Sequence, residues 1–106
     1  MTFDREGPTG RARLEAVVRG RVQGVGFRYF VADLATARGI VGWVANDADG
    51  SVLCVVEGPR SLLADLLADL RRGPPAARVD DIETTWTAPT GGFDRFSIRS
   101  GAHRGD

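Results

Sequence analysis

The stretch G-R-V-Q-G-V-G-F-R at residues 20–28 limits how this chain can fold more than any other. Before it, Leu14, Ala16 and Val18 alternate with Glu15 and Arg19, which predicts a strand over residues 14–19 with one apolar face. After it, Phe27, Phe30, Val31, Leu34 and Ala35 recur at helical spacing up to Gly39, which predicts a helix over residues 27–38. A strand entering a glycine-rich loop that opens a helix presents several main-chain N–H groups to one point, at the positive end of the helix dipole. No Ser, Thr, Asp or Asn stands at the start of the helix to take up those donors. The corner therefore reads as a cradle for an anion, and Arg28 in the first helical turn adds a fork-shaped, charged donor.

The remaining elements follow in order. Residues 41–46, V-G-W-V-A-N, predict a second strand, Asp47 to Gly50 a tight turn, and residues 51–57, S-V-L-C-V-V-E, a well-covered third strand. Gly58-Pro59 is expected to start a second helix with proline in its first turn. Leu62, Leu63, Leu66, Leu67 and Leu70 form its apolar stripe, Arg71 and Arg72 a solvated end that suits the dipole, and G-P-P at 73–75 the stop. A fourth strand is expected over residues 78–87, with Ile82, Thr84 and Trp86 on one face, and a short fifth edge strand over 93–99. Residues 1–11 and 101–106 read as mobile tails around a domain over 12–100.

The order β-α-β-β-α-β plus one short strand predicts an α+β, ferredoxin-like sandwich. Its sheet is mixed and mainly antiparallel, with right-handed crossovers that put both helices on one face. If the first two strands are parallel, the glycine loop and the end of the second strand lie at the same sheet edge. Asn46 is then brought to the cradle.

Composition excludes several alternatives. A chain of 106 residues, 42% hydrophobic, makes one small domain. Fourteen basic residues balance fourteen acidic ones, which argues against a broad surface for nucleic acid or anionic membrane. All the basic residues are arginine, so Schiff-base chemistry and a Walker-type lysine are excluded. The third strand lacks the basic and aromatic residues of an RNA-stacking platform. No apolar run is long enough to span a bilayer and the first residues lack a signal-peptide pattern, so a cytoplasmic location is expected. Cys54 has no second thiol and reads as a small buried hydrophobe; Phe27, Phe30, Trp43 and Trp86 read as packing residues, and His103 carries no pattern for metal or acid–base work.

The residues also resemble a known family. The stretch at 20–28, followed by G-W-V-A-N-D-A-D-G-S-V at 42–52, resembles the two signature motifs of the acylphosphatases. The resemblance continues through V-E-G-P at 56–59, P-P-A-A-R-V-D at 74–80 and F-S-I-R at 96–99. It implies a ferredoxin-like fold and hydrolysis of a carboxyl-phosphate anhydride to a carboxylate and inorganic phosphate, with no cofactor and no metal. By motif position, Val22, Gln23, Gly24, Val25, Gly26, Phe27 and Arg28 form the phosphate-binding loop, Arg28 grips the phosphate bidentately, and Asn46 orients the attacking water. The implied partner is a small-molecule acyl phosphate, with phosphate or sulfate as the bound anion and a monomer as the working form. Leu53 departs from the pattern, where bacterial members often carry glutamate, and is expected to lie outside the chemistry.

Plainer readings stand beside these. Arg28 alone would be an exposed helix arginine, Asn46 a turn-forming asparagine, and Gln23 either a brace for the loop or a solvent-facing side chain. The same fold also serves as a non-catalytic module holding a phosphorylated ligand or a protein partner, since related domains occur within larger proteins, notably at the start of a hydrogenase maturation factor.

Overall fold

Alternation along the first strand decides which face of the sheet is buried: Ala12, Leu14, Ala16 and Val18 are fully covered, while the residues between them are not. The computed structural model describes residues 10–101. Its elements are β1 (Arg11–Arg21), α1 (Phe27–Ala37), β2 (Val41–Asn46), β3 (Val52–Pro59), α2 (Arg60–Arg72), β4 (Arg78–Thr87) and β5 (Phe96–Arg99). The sheet order is β4-β1-β3-β2-β5. Strand β3 is antiparallel to both β1 and β2, β4 is antiparallel to β1, and β5 is parallel to β2. This is the expected ferredoxin-like α+β arrangement, with β5 added at the β2 edge.

Both helices cover one face. Phe27, Val31 and Ala35 of α1 and Leu63, Leu66 and Leu70 of α2 pack on Leu14, Val18, Val44, Val52, Cys54 and Val56. Removing that apolar surface from water is the main force holding helices to sheet. Cys54 is one of these core residues, and burial pushes its thiol pKa up to about 12, so it packs as a hydrophobe. The opposite face carries a smaller cluster in which Ala45 and Leu53 pack with Val17 and Trp43. Trp43 and Trp86 are stacked by Arg99 and Arg60, at 4.5 and 4.1 Å.

Apart from small shifts, among them the run of β1 on to Arg21 through its pairing with β4, the boundaries differ from expectation at three places, each for a physical reason. Strand β1 begins at Arg11, which pairs with Pro59, and Gly10 accepts a hydrogen bond from Arg60 N–H at 3.0 Å. Arg11 is therefore part of the sheet and Gly10 is tied to the start of α2, rather than both lying in a tail; Gly101 is a bend after β5, and the other tail residues, 1–9 and 102–106 with His103, lie outside those described. The same pairing keeps Pro59 in β3, extended at φ −57° and ψ 133°, so it precedes α2 instead of opening it. Arg72, expected to be simply solvated, pairs with Asp69, which also takes Arg38 Nη2 at 2.5 Å and so ties the end of α1 to α2. Hydrogen bonds from Arg38 hold the Asp69 carboxyl below the usual carboxylate range despite its burial.

The third difference is the start of β5 at Phe96 instead of residue 93. Residues 88–95 are drawn away as a strap over the sheet face opposite the helices. The strap is fixed by Glu57, only 1% exposed, which accepts hydrogen bonds from Thr90 N–H at 3.0 Å, Gly91 N–H at 2.9 Å, the Thr90 hydroxyl at 2.7 Å and Arg13 Nη1 at 3.0 Å. Burial alone raises the Glu57 pKa, but these donors outweigh it and hold the carboxyl down to about 2. A carboxyl lowered from 4.5 to about 2 contributes about 3 kcal/mol above its unfolded pKa. The contribution is lost as pH falls from 4.5 through 2. Urea unfolding across that range is expected to show wild type losing its advantage over Glu57→Gln as the pH drops. A gap between the two that stays constant down to pH 2 contradicts this assignment.

Candidate active site

Val22 and Phe27, each 1% exposed, anchor the two ends of the glycine loop in the core, and residues 23–26 bend between them. Gly24 and Gly26 have φ of 73° and 80°, in the left-handed region, and a Cβ at either would meet nothing within 4 Å. These glycines are therefore required by backbone conformation, not by crowding, and the space beside the loop is open. Gly26 stands at the N-cap position of α1 with no side chain to offer, and no side chain among the described residues takes up the helix N–H groups. The first helical bond runs from Phe30 N–H to the Gly26 carbonyl at 3.0 Å, which leaves Phe27, Arg28 and Tyr29 N–H without an intrahelical acceptor. No acidic residue stands in the first turn to neutralise the dipole. The Phe27 ring meets Phe30 edge to face at 5.9 Å, which helps hold this turn against the core.

Arg28 is half-buried and its Nη1 donates to the Arg99 carbonyl at 3.5 Å. Arg99 is the last residue of β5 and lies beside Ala45 in the parallel ladder. The guanidinium therefore sits at the C-terminal ends of β2 and β5, one residue short of Asn46 in register. Asn46 itself is half-buried and pairs with Val52 at the last rung of β2 and β3.

Gln23 joins the two parts. Its Nε2 donates to the carbonyls of Asp47 at 2.8 Å and Ser51 at 2.9 Å, so it is a brace and not a solvent-facing side chain. The turn it grips is stiff. Asp47 N–H reaches the Ser51 carbonyl at 2.9 Å and Gly50 N–H the Asp47 carbonyl at 3.1 Å. Asp49 Oδ1 accepts from the Ser51 hydroxyl at 2.5 Å and Ser51 N–H at 2.9 Å, and these bonds hold its carboxyl below the usual range. The structure thus brings the loop, Arg28 and Asn46 to one sheet end, with Val22 and Phe27 as buried anchors behind them. Sequence reasoning missed three groups that position them: the carbonyls of Asp47, Ser51 and Arg99. Main-chain acceptors leave no residue signature.

Taken together, fold and site define a ferredoxin-like sandwich with an uncapped, arginine-bearing helix start at one end of its sheet. The acylphosphatase family model matches residues 14–98, and the chain belongs to the acylphosphatase family. It is 47% identical over 89 residues to the acylphosphatase of Anaeromyxobacter dehalogenans, covering 84% of this chain and 96% of that one. Identity to the acylphosphatase of Koribacter versatilis is 49% over 82 residues, 77% of this chain and 74% of the relative. The crystal structure of acylphosphatase from Bacillus subtilis superposes with a TM-score of 0.80 at 42% identity, covering 83% of this chain and 98% of the other. A full-length HypF structure in the phosphate- and nucleotide-bound form is similar over 86% of this chain, at 25% identity and TM-score 0.78, but over only 12% of its own length.

Because Gly26 lies in open space, the cost of a side chain there is purely conformational. Gly26→Ala is expected to destabilise the fold by about 1–2 kcal/mol, with Gly26→Asn recovering part of the loss, as measured by urea unfolding. An alanine variant as stable as wild type would show that the left-handed backbone at this position is not required.

Proposed function

We propose that this protein hydrolyses acyl phosphates, with phosphate held by the 22–28 loop and Arg28 and water oriented by Asn46. The observation that carries this reading is the convergence of three groups at one end of the sheet: unpaired helix N–H donors, a fork-shaped guanidinium and a neutral side-chain amide. In the reaction, a water oxygen bonds to phosphorus as the bond from phosphorus to the acyl oxygen breaks. The products are a carboxylate, inorganic phosphate and a proton.

A carboxylate is a good leaving group, so positioning and charge stabilisation supply most of what the step needs. N–H donors aimed at the phosphoryl oxygens contribute about 1.5–3 kcal/mol each as charge-assisted hydrogen bonds. Asn46 is not basic enough to take a proton from water; its amide holds the oxygen in line, and the proton passes to a phosphate oxygen or to solvent. This reading includes a monomer working in the cytoplasm on a small molecule, with phosphate or sulfate occupying the loop in the absence of substrate. It accords with a chain of zero formal charge in which no described helix is long and apolar enough to cross a membrane.

Steady-state hydrolysis of benzoyl phosphate, in the presence of a metal chelator, tests the proposal. Arg28→Ala is expected to lower kcat/KM by about 100- to 1000-fold. Arg28→Lys should recover little of this, because an ammonium cannot reproduce the bidentate fork. Asn46→Ala is expected to lower kcat by a similar factor, about 100-fold or more, with a smaller effect on KM. Wild-type rates in both alanine variants would remove the mechanism. Saturable phosphate binding with no turnover in the wild type would favour a non-catalytic binding module.

A further inference from the structure

Building on the hydrolytic reading, we infer that Gln23 is the positioning residue that sets the distance between the phosphate-holding loop and Asn46. Both N–H bonds of its side-chain amide are used, and both go to main-chain carbonyls in the turn directly after Asn46. These contacts span 24 and 28 residues of sequence. The two carbonyls also close the turn. The Asp47 carbonyl takes Gly50 N–H, and the Ser51 carbonyl takes Asp47 N–H across the base of the hairpin. Gln23 therefore does not lean on one loose loop but plugs into two fixed points of the hairpin that carries Asn46 on its last paired rung.

The other end of the glutamine is equally constrained. Its backbone lies between buried Val22 and the left-handed Gly24, within the loop that presents the helix N–H groups. The separation between the loop backbone at residue 23 and the hairpin that carries Asn46 is thus set by one glutamine side chain. Arg28 reaches the same sheet end through the Arg99 carbonyl, but at 3.5 Å, a looser tie than the 2.8 and 2.9 Å bonds of Gln23. In-line attack tolerates little error, since a misplacement of about 1 Å can cost about 100-fold in rate. Phosphate binding draws on the main-chain N–H groups of the loop and on the Arg28 side chain, not on the Gln23 side chain. Turnover needs the loop and Asn46 in register, so the two readouts separate when the glutamine is lost.

The experiment measures benzoyl phosphate turnover and the Kd for inorganic phosphate in wild type, Gln23→Ala, Gln23→Met, Asn46→Ala and the double variant Gln23→Ala with Asn46→Ala. Gln23→Met keeps the chain length and adds no charge but removes both donors to the Asp47 and Ser51 carbonyls, so it serves as a second variant should alanine loosen the fold. Gln23→Ala and Gln23→Met are expected to lose about 10- to 100-fold in kcat while the Kd for phosphate shifts far less, because the main-chain N–H groups of residues 22–28 and the Arg28 side chain are left in place. The double variant is expected to be little slower than Asn46→Ala alone, because without the amide there is nothing left to hold in register. Three outcomes would overturn the inference: wild-type kcat in both Gln23 variants, phosphate affinity falling in parallel with kcat, or losses that multiply in the double variant. Loss of turnover in Asn46→Ala, read in the same assay, tests the hydrolytic reading separately, so failure of the one is distinguishable from failure of the other.

Discussion

Strand β3 lies between β1 and β2 and runs against both, and the site depends on that pairing. Two strands each antiparallel to a common neighbour are parallel to one another. The chain therefore leaves β1 into the glycine loop and leaves β2 into the 47–50 turn at the same end of the sheet. Had β1 and β2 been joined as a hairpin, their exits would lie at opposite ends and Asn46 could not approach the loop. The helix between them makes the crossover possible, and its buried stripe of Phe27, Val31 and Ala35 fixes where its N-terminus points.

The two ends of the sheet use main-chain N–H donors in contrasting ways. At the end where β2 begins, Val41 stands opposite Glu57, whose carboxylate is wrapped by Thr90 and Gly91 N–H, the Thr90 hydroxyl and Arg13. At the end where β2 finishes, α1 starts with no side-chain cap among the described residues and no acidic residue in its first turn, and a Cβ at Gly24 or Gly26 would meet nothing within 4 Å. The same interaction of an anion with backbone donors and an arginine is satisfied internally at one end and left open at the other. The filled end secures the strap and the edge of the sheet. The other end has its first-turn donors on the start of a packed helix, with no acidic residue in that turn.

Much of the fold was legible from period alone. Apolar alternation and helical spacing located β2 and β4 at their observed bounds and the start of α1 at Phe27, because each element has one clearly buried side. What period could not show were contacts between distant segments. Pro59 read as a helix starter because its pairing with Arg11 is not visible locally, and β5 read as longer because the pull of Glu57 on residues 88–95 acts from the far side of the sheet. Nothing in the local pattern marks Glu57, the last residue expected in the third strand, as one of the most deeply buried charged groups among the described residues. At the site, the glycines, Arg28 and Asn46 carried a residue signature. For Gln23 the sequence left brace and solvent face open, because its partners are carbonyl oxygens that every residue possesses.

The proposed phosphate site consists of the N–H groups at the start of α1 together with Arg28. Titrating the isotopically labelled protein with inorganic phosphate, while following each amide and arginine resonance, tests this most directly. Saturable shifts are predicted to concentrate at the N–H groups of residues 24–29 and at the Arg28 side chain, all with one Kd, with Thr90 and Gly91 unmoved because their donors are already taken by Glu57. Saturable shifts centred anywhere else, or none at all at residues 24–29, would contradict it.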